Sequence, residues 1–363
     1  MLNYRCYSCS SIFDVSADRY RCDCGGLFVL DTHNPTFELN PSNWSMWRYK
    51  SLIPLLDDGA FVDSVSMGEG MTPLARDNTG AMLKLDFLNP TLSYKDRGSV
   101  VLLALAAALG VKEVAIDSSG NAGVSVAAYS KRMSIGAHVF VPEFTSQKKV
   151  KQLALFDAQV HQGGDRAFAS LAVSRFLEQH PKVFYASHVY NPFFVHGVKT
   201  VVLEIFEQLG RRLPKEIVVP VGNGTLVLGA CQAIMELKEA LLLDGQPKVV
   251  AVQARGCAPI YKAFHNVIDG SDSYSTETLA EGIAISAPPR IKEIISALSA
   301  CEGTVVAVSE DEILDAQLQL LKQGIDVEPT AAATYAGYLT RRGDARCARD
   351  TVVILTGAGL KSR

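Results

Sequence analysis

The chain has 363 residues, the length of about two domains. With 48% hydrophobic and 20% charged residues it can bury a large core, which excludes a disordered or fibrous chain. Thirty-five Lys and Arg against 38 Asp and Glu leave a net charge of −3, so there is no basic surplus to neutralise a phosphodiester backbone, and nucleic acid is not expected as a partner. No apolar run approaches the ~18 residues of a membrane span, and the opening MLNYRCYSCS lacks a secretory apolar stretch. The expectation is a cytoplasmic metabolic protein with no membrane partner.

In chain order, residues 1–35 form a Cys-rich module and residues 36–80 an irregular arm punctuated by Pro41, Pro54 and Pro73, with Trp44 and Trp47 as its expected anchors. Short apolar runs then alternate with helical patterns. Strands are expected at 81–87, 113–117, 137–142, 158–163, 182–187, 216–221, 248–254, 304–308 and 351–356. Helices are expected at 95–109, 121–131, 150–156, 167–179, 196–209, 226–243, 311–322 and 330–341. Repeated βα units argue for parallel sheets covered by helices. Runs such as VVAVQ and VVILT lack alternation, as strands buried on both faces do.

Four of the eight cysteines, Cys6, Cys9, Cys22 and Cys24, fall within the first 24 residues, followed by Gly25-Gly26. C-x2-C, twelve residues, then C-x-C resembles a zinc ribbon with a shortened second knuckle. Two readings stand: a closed four-thiolate structural zinc site, or metal-free thiols. Cys231, Cys257, Cys301 and Cys347 read as ordinary buried thiols.

Ligands of open α/β sheets lie where strands end and helices begin. Three Gly-rich turns occupy such points: Ser118-Ser119-Gly120-Asn121-Ala122-Gly123, Gly222-Asn223-Gly224-Thr225 and Thr356-Gly357-Ala358-Gly359. The first two lead into helices and expose backbone N–H groups to an anion. GNGTLVLG is a weak dinucleotide fingerprint, with no acid after KVVAVQA to hold a ribose, and no Gly-Lys-Ser/Thr closes a phosphate-binding loop. Asn89-Pro90-Thr91-Leu92-Ser93-Tyr94-Lys95-Asp96-Arg97-Gly98 puts Lys95 at the start of an apolar helix, with Ser93 a candidate cap. There the helix dipole and burial both disfavour an ammonium, which suits a lysine for Schiff-base chemistry.

These motifs together, with Gly68-Glu69-Gly70-Met71-Thr72-Pro73-Leu74 and Glu328-Pro329-Thr330-Ala331-Ala332, resemble the tryptophan-synthase-β class of pyridoxal-phosphate enzymes and, within it, the threonine synthases, some of which also carry a Cys-rich start. The resemblance covers essentially the whole chain. It implies fold type II architecture: two open, twisted, mainly parallel sheets with helices on both faces, plus the zinc-ribbon-like module. Residues 36–84 and 201–363 would form the large cofactor-binding domain and residues 85–200 a smaller one, in a homodimer.

The resemblance also implies roles. Lys95 would bind pyridoxal 5′-phosphate covalently and act as acid and base. Asn121 would hydrogen-bond the cofactor's phenolic oxygen, Gly222, Asn223, Gly224 and Thr225 would cradle its phosphate, and Thr356 would meet its pyridine nitrogen. Ser118, Ser119 and Gly120 would grip the carboxylate of a small anionic amino acid, joined by Ser187 and Asn191. The implied reaction converts O-phospho-L-homoserine and water to L-threonine and phosphate.

The sequence departs from the class where the substrate phosphate would sit. Ala122 stands where Thr is usual, and Asn191-Pro192-Phe193-Phe194 lacks the Arg of N-P-x-R. Ala358 replaces a frequent His, and Thr225-Leu226 a frequent Gly-Asn. Candidates to replace the Arg are His188, His196 and Lys199. A related lyase acting by β-elimination or β-replacement on a serine, threonine or cysteine derivative is the alternative reading. A non-catalytic cofactor-binding protein ranks behind both.

Overall fold

A computed structural model describes residues 2–31, 36–243, 245–267, 277–341 and 350–361. The chain divides into two compact units, residues 1–69 with 95–197 and residues 70–94 with 198–363. Both are mixed α/β with parallel sheets, as the repeated βα pattern requires.

In the first unit a parallel four-stranded sheet runs Gln159–Gln162, Gly136–Val141, Glu113–Ile116, Phe184–Tyr185. Helices Asn121–Arg132 and Arg166–Gln179 pack on it. The helix Lys95–Ala108 is apolar on every side beyond Ser99 and is buried from Asp96 to Ala106. The Cys-rich residues form an antiparallel sheet, ordered Ile12–Asp14, Asn3–Cys6, Phe28–Leu30. The expected module boundary at residue 35 lies outside the described residues, as does Cys347.

Residues 36–69, expected with the large domain, group with the first unit. Buried Glu69 gives a physical reason. Its carboxylate accepts from Trp47 Nε1 (2.7 Å), Ser66 Oγ (2.9 Å), Met67 N (2.8 Å) and Tyr129 Oη (2.9 Å). A buried carboxylate needs such donors, and here they tie the arm to the helix Asn121–Arg132. Trp47 is thus an anchor as expected. Trp44 is not; it is 78% exposed.

The second unit holds a six-stranded sheet in the order Thr304–Val308, Lys248–Ala254, Glu216–Pro220, Thr351–Ile354, Met82–Lys84, Leu74–Arg76. All neighbours are parallel except the antiparallel edge strand Leu74–Arg76. Its core joins Val218, Val250, Val252 and Val353 to Ala332, Tyr335 and Ala336 of the helix Pro329–Arg341.

A fully buried ion pair secures the start of this unit. Lys84 Nζ lies 2.8 Å from Glu204 Oε2 and also donates to Thr72 O (2.7 Å) and Gln208 Oε1 (2.8 Å). Glu204 Oε1 accepts from Met71 N at 2.8 Å. Glu204→Ala would strand a buried ammonium, at a cost of about 3–5 kcal/mol. The expected result is a urea transition at markedly lower concentration, partly recovered in a Lys84→Met/Glu204→Leu double variant. An unchanged midpoint for Glu204→Ala would contradict the pair's role.

Candidate active site

The six-stranded and four-stranded sheets each have one point where strand order reverses, and Gly-rich turns singled out in the sequence follow strands at these points. In the second unit the chain adds strands outward from Glu216–Pro220 through Lys248–Ala254 to Thr304–Val308, then places Thr351–Ile354 on the other side of Glu216–Pro220. The turn Gly222–Thr225 follows one strand of this switch point and Thr356 follows the other. Such crevices receive ligands in open α/β sheets.

The turn is built for an anion. Gly224 has φ +85° and caps the helix Thr225–Glu239. A Cβ there would stand 2.2 Å from Ile294 Cδ1, and one on Gly222 would stand 3.0 Å from Gly282 O. Leu228 N donates to Gly224 O, so the amides of Thr225, Leu226 and Val227 precede the first intrahelical bond. At the neighbouring strand end, Thr356 Oγ1 is buried without a hydrogen-bond partner among the described residues. A buried hydroxyl left this way is a ready partner for a ligand nitrogen.

Residues 91–94 are stitched onto this strand end. Tyr94 N donates to Thr356 O (3.0 Å), Ala358 N to Leu92 O (3.2 Å) and Lys361 Nζ to Thr91 O (2.6 Å), and Ser93 bridges Gly357. Leu92 adopts φ +61°, a costly conformation for a side-chain-bearing residue, held by these bonds. Lys95 is the next residue after this segment.

In the first unit the order grows from Glu113–Ile116 through Gly136–Val141 to Gln159–Gln162, and Phe184–Tyr185 lies on the opposite side of Glu113–Ile116. This switch point is followed by Ser118-Ser119-Gly120 on one strand and by Ser187 on the other. Gly120 N reaches Ser118 Oγ at 3.3 Å, and Gly120 caps the helix that opens with Asn121. Val124 N donates to Gly120 O, which leaves the amides of Asn121, Ala122 and Gly123 ahead of the first intrahelical bond. Gly123 is obligatory, since a Cβ there would fall 1.9 Å from Ser118 O.

Asp117, just before this turn, accepts from Tyr185 Oη (2.7 Å) and Ser170 Oγ (2.6 Å), while burial pushes its carboxyl above the usual range. Ser187 Oγ accepts from Val189 N (3.3 Å). Asn191 Oδ1 accepts from Phe193 N (3.0 Å) and caps the helix Phe193–Val198, three residues earlier than the expected start.

Lys95 is half-buried, and its Nζ lies 5.7 Å from the centre of the Phe194 ring. That ring fills the space over Gly98, whose Cβ would sit 2.4 Å from Phe194 Cδ2. Gly197 makes the same approach from the other side, with a Cβ position 2.0 Å from Arg97 O. Two glycines and a phenylalanine therefore fix the crossing beside Lys95. Sequence reasoning singled out Phe194 only for the Arg it replaces; a glycine four residues into an apolar helix was the available signal for a close approach.

Of the three candidates to replace that Arg, Lys199 is committed to Glu236 at 2.7 Å. His196 is buried. His188 packs edge-on to Phe194 with ring centres 5.7 Å apart; burial, then the nearby Lys95 charge, holds its pKa well below the usual value, so it is neutral at neutral pH.

The structure brings the four N-terminal cysteines together. Their sulfurs all lie within 4.8 Å of one another, with Cys6–Cys24 and Cys9–Cys22 each at 3.6 Å. A tetrahedron of thiolates about 2.3 Å from zinc has edges of about 3.8 Å, so this set fits the ion. Amides of Gly26 and Cys24 donate to Cys24 and Cys22, and hydrogen bonds to Ser11 bring the Cys9 thiol down to about 6. A Cβ on Gly26 would meet Cys6 Sγ at 2.7 Å. Gly26→Ala should therefore weaken zinc binding about 10–100-fold in a chelator competition titration. Unchanged affinity would contradict a site at these sulfurs.

The pattern of the pyridoxal-phosphate dependent enzyme family spans residues 65–357, and the chain belongs to that family, whose cofactor is pyridoxal 5′-phosphate. Within it the chain groups with the threonine synthases: it is 33% identical to that of Methanocaldococcus jannaschii across 98% of this chain and 92% of that protein. Its fold is similar to the processed form of threonine deaminase isoform 2 from Solanum lycopersicum, with a TM-score of 0.70 and 20% identity over 92% of this chain and 93% of that one. Serine racemase from Dictyostelium discoideum gives a TM-score of 0.65 and 26% identity over 79% and 92%.

Proposed function

We propose that the chain acts as a threonine synthase, converting O-phospho-L-homoserine and water to L-threonine and phosphate. The observation that carries the cofactor part is the buried, unpartnered Thr356 hydroxyl, which shares its switch point with the Gly222–Thr225 amides. When bound, pyridoxal 5′-phosphate supplies the electron sink that stabilises negative charge on the substrate carbon atoms.

In this reading Gly222, Asn223, Gly224 and Thr225 hold the cofactor phosphate, Thr356 meets the ring nitrogen and Asn121 the phenolic oxygen. Thr356, a neutral hydroxyl, leaves that nitrogen less protonated than a carboxylate would. Lys95 would hold the cofactor covalently, and its amine would accept the proton from Cα and move protons at the neighbouring carbon. Ser118, Ser119 and Gly120 take the substrate carboxylate at a helix N-terminus. Ser187 and Asn191, whose side-chain oxygens accept from backbone amides, shape the same wall. The Phe194 ring, 5.7 Å from Lys95 Nζ, gives that amine an apolar neighbour.

Cys6, Cys9, Cys22 and Cys24 hold a structural zinc in a zinc-ribbon-like module, and the whole has fold type II architecture. We also propose a cytoplasmic homodimer; none of the seven described cysteines is joined in a disulfide, in keeping with a reducing compartment. Among the described residues no helix is long and apolar enough to cross a membrane.

The apolar Phe194 beside Lys95 favours one competing reading, a lyase whose substrate has no γ-phosphate. A panel scored for phosphate, ammonia and keto acid separates the two. Phosphate release from O-phospho-L-homoserine supports a threonine synthase. Its absence, with keto acid formed from L-serine or L-threonine, supports the competing lyase.

A further inference from the structure

The Cys-rich sheet has a purpose that four sulfurs do not explain. Tyr4 precedes Cys6 by two residues on one strand, so both side chains share a face, and both are buried. Tyr4 lies flat on Phe28, the cross-strand partner of Cys6, with ring centres 4.9 Å apart. It also meets Phe193 edge-on at 6.3 Å, and its hydroxyl accepts from Asn191 Nδ2 at 3.5 Å. Phe194, against Gly98 and Lys95, is the next residue.

A second line starts beside Cys22. Tyr20 packs edge-on against Tyr185 at 5.0 Å and Tyr190 at 5.9 Å. Arg21 donates to Tyr190 Oη at 2.9 Å and stacks over its ring. Tyr185 in turn holds Asp117, the residue before the Ser118–Gly120 turn. The module's contact residues thus lie within two positions of a thiolate and rest on both strand ends of one switch point.

We infer that the Cys-rich module braces the substrate wall, with Tyr4 and Tyr20 as positioning residues for the segment Ser187–Phe194 and the turn Ser118–Gly120. This rests on the reading of those segments as the substrate wall. Metal bound by the four thiolates would stiffen the strand and loop that carry both tyrosines.

Hydrogen exchange and steady-state kinetics on the holoenzyme test the inference together. Tyr4→Ala and Tyr20→Ala should raise amide exchange at 184–194 and 117–121. They should also raise KM for O-phospho-L-homoserine about tenfold with a much smaller change in kcat. Covalent retention of the cofactor should not change, because these variants leave Lys95, the Gly222–Thr225 turn and Thr356 in place. Tyr4→Phe, which keeps the stacked ring, should restore most of the KM. Stripping zinc from the wild type with a chelator should raise exchange in the same segments. Should Tyr4→Ala fail to fold, Arg21→Ala at the exposed edge reads the second line by exchange at 184–194.

Exchange at 184–194 and 117–121 unchanged in the folded variants and after metal removal would overturn the brace. Exchange does not depend on turnover, so it tests the brace even if the wild type leaves the phosphorylated substrate intact; that outcome would instead count against the proposed reaction.

Discussion

Lys95→Ala gives a folded protein that no longer retains pyridoxal 5′-phosphate after borohydride reduction and washing, and whose turnover falls about 10³–10⁴-fold. The size of the expected loss follows from the two jobs proposed for one amine, covalent attachment and proton transfer. Other basic groups are already committed. Lys84 is spent on Glu204 and Lys199 on Glu236. His188 is neutral but packed against the Phe194 ring. Stability should barely change, because Lys95 is half-buried and its backbone position is fixed by the stitched segment before it. Added small primary amines should restore part of the rate. Covalent retention by the variant, or a loss of only a few-fold, would remove Lys95 from this role.

Gly123→Ala is the second large effect expected, and it involves no change of charge or polarity. The added methyl would have to share space with Ser118 O, 1.9 Å from the Cβ position. A carbonyl in a tight turn cannot rotate away as a flexible side chain can, so the turn or the helix Asn121–Arg132 must move. Displacing Ser118–Asn121 by about 1 Å should lower kcat/KM about 10²-fold, with about 1–3 kcal/mol lost from stability. Covalent retention of the cofactor should survive, since Lys95 and Thr356 are untouched, while the shift of Asn121 should move the absorbance of the bound cofactor. Wild-type kinetics for a folded Gly123→Ala would mean that this turn does not position substrate.

Much of this site was legible in the sequence because its elements obey local rules. The runs VVAVQ and VVILT appear as buried parallel strands, and the Gly-rich turns fall at strand ends. The clustering of Cys6, Cys9, Cys22 and Cys24 followed from two knuckles with suitable spacing, despite the shortened second one.

What escaped was tertiary. The strands Asn3–Cys6, Ile12–Asp14 and Phe28–Leu30 are too short to show periodicity. The helix Ile291–Ala300 gave no cap signal, although its Ile294 packs where a Gly224 side chain would be. Residues 36–69 looked irregular because what organises them is one buried carboxylate, Glu69, with donors from three separate places. The crossing of Phe194 with Gly98 depends on residues 96 positions apart, which no local pattern reveals.

In the proposed C–O lyase reaction phosphate leaves with its bridging oxygen and water supplies the new hydroxyl. Turnover of O-phospho-L-homoserine in heavy-oxygen water tests it most directly. Phosphate and L-threonine are expected in equal amounts, with one water-derived oxygen in each threonine and none in the phosphate. Label in the phosphate with homoserine as the product, or no turnover at all by the cofactor-loaded protein, would contradict it.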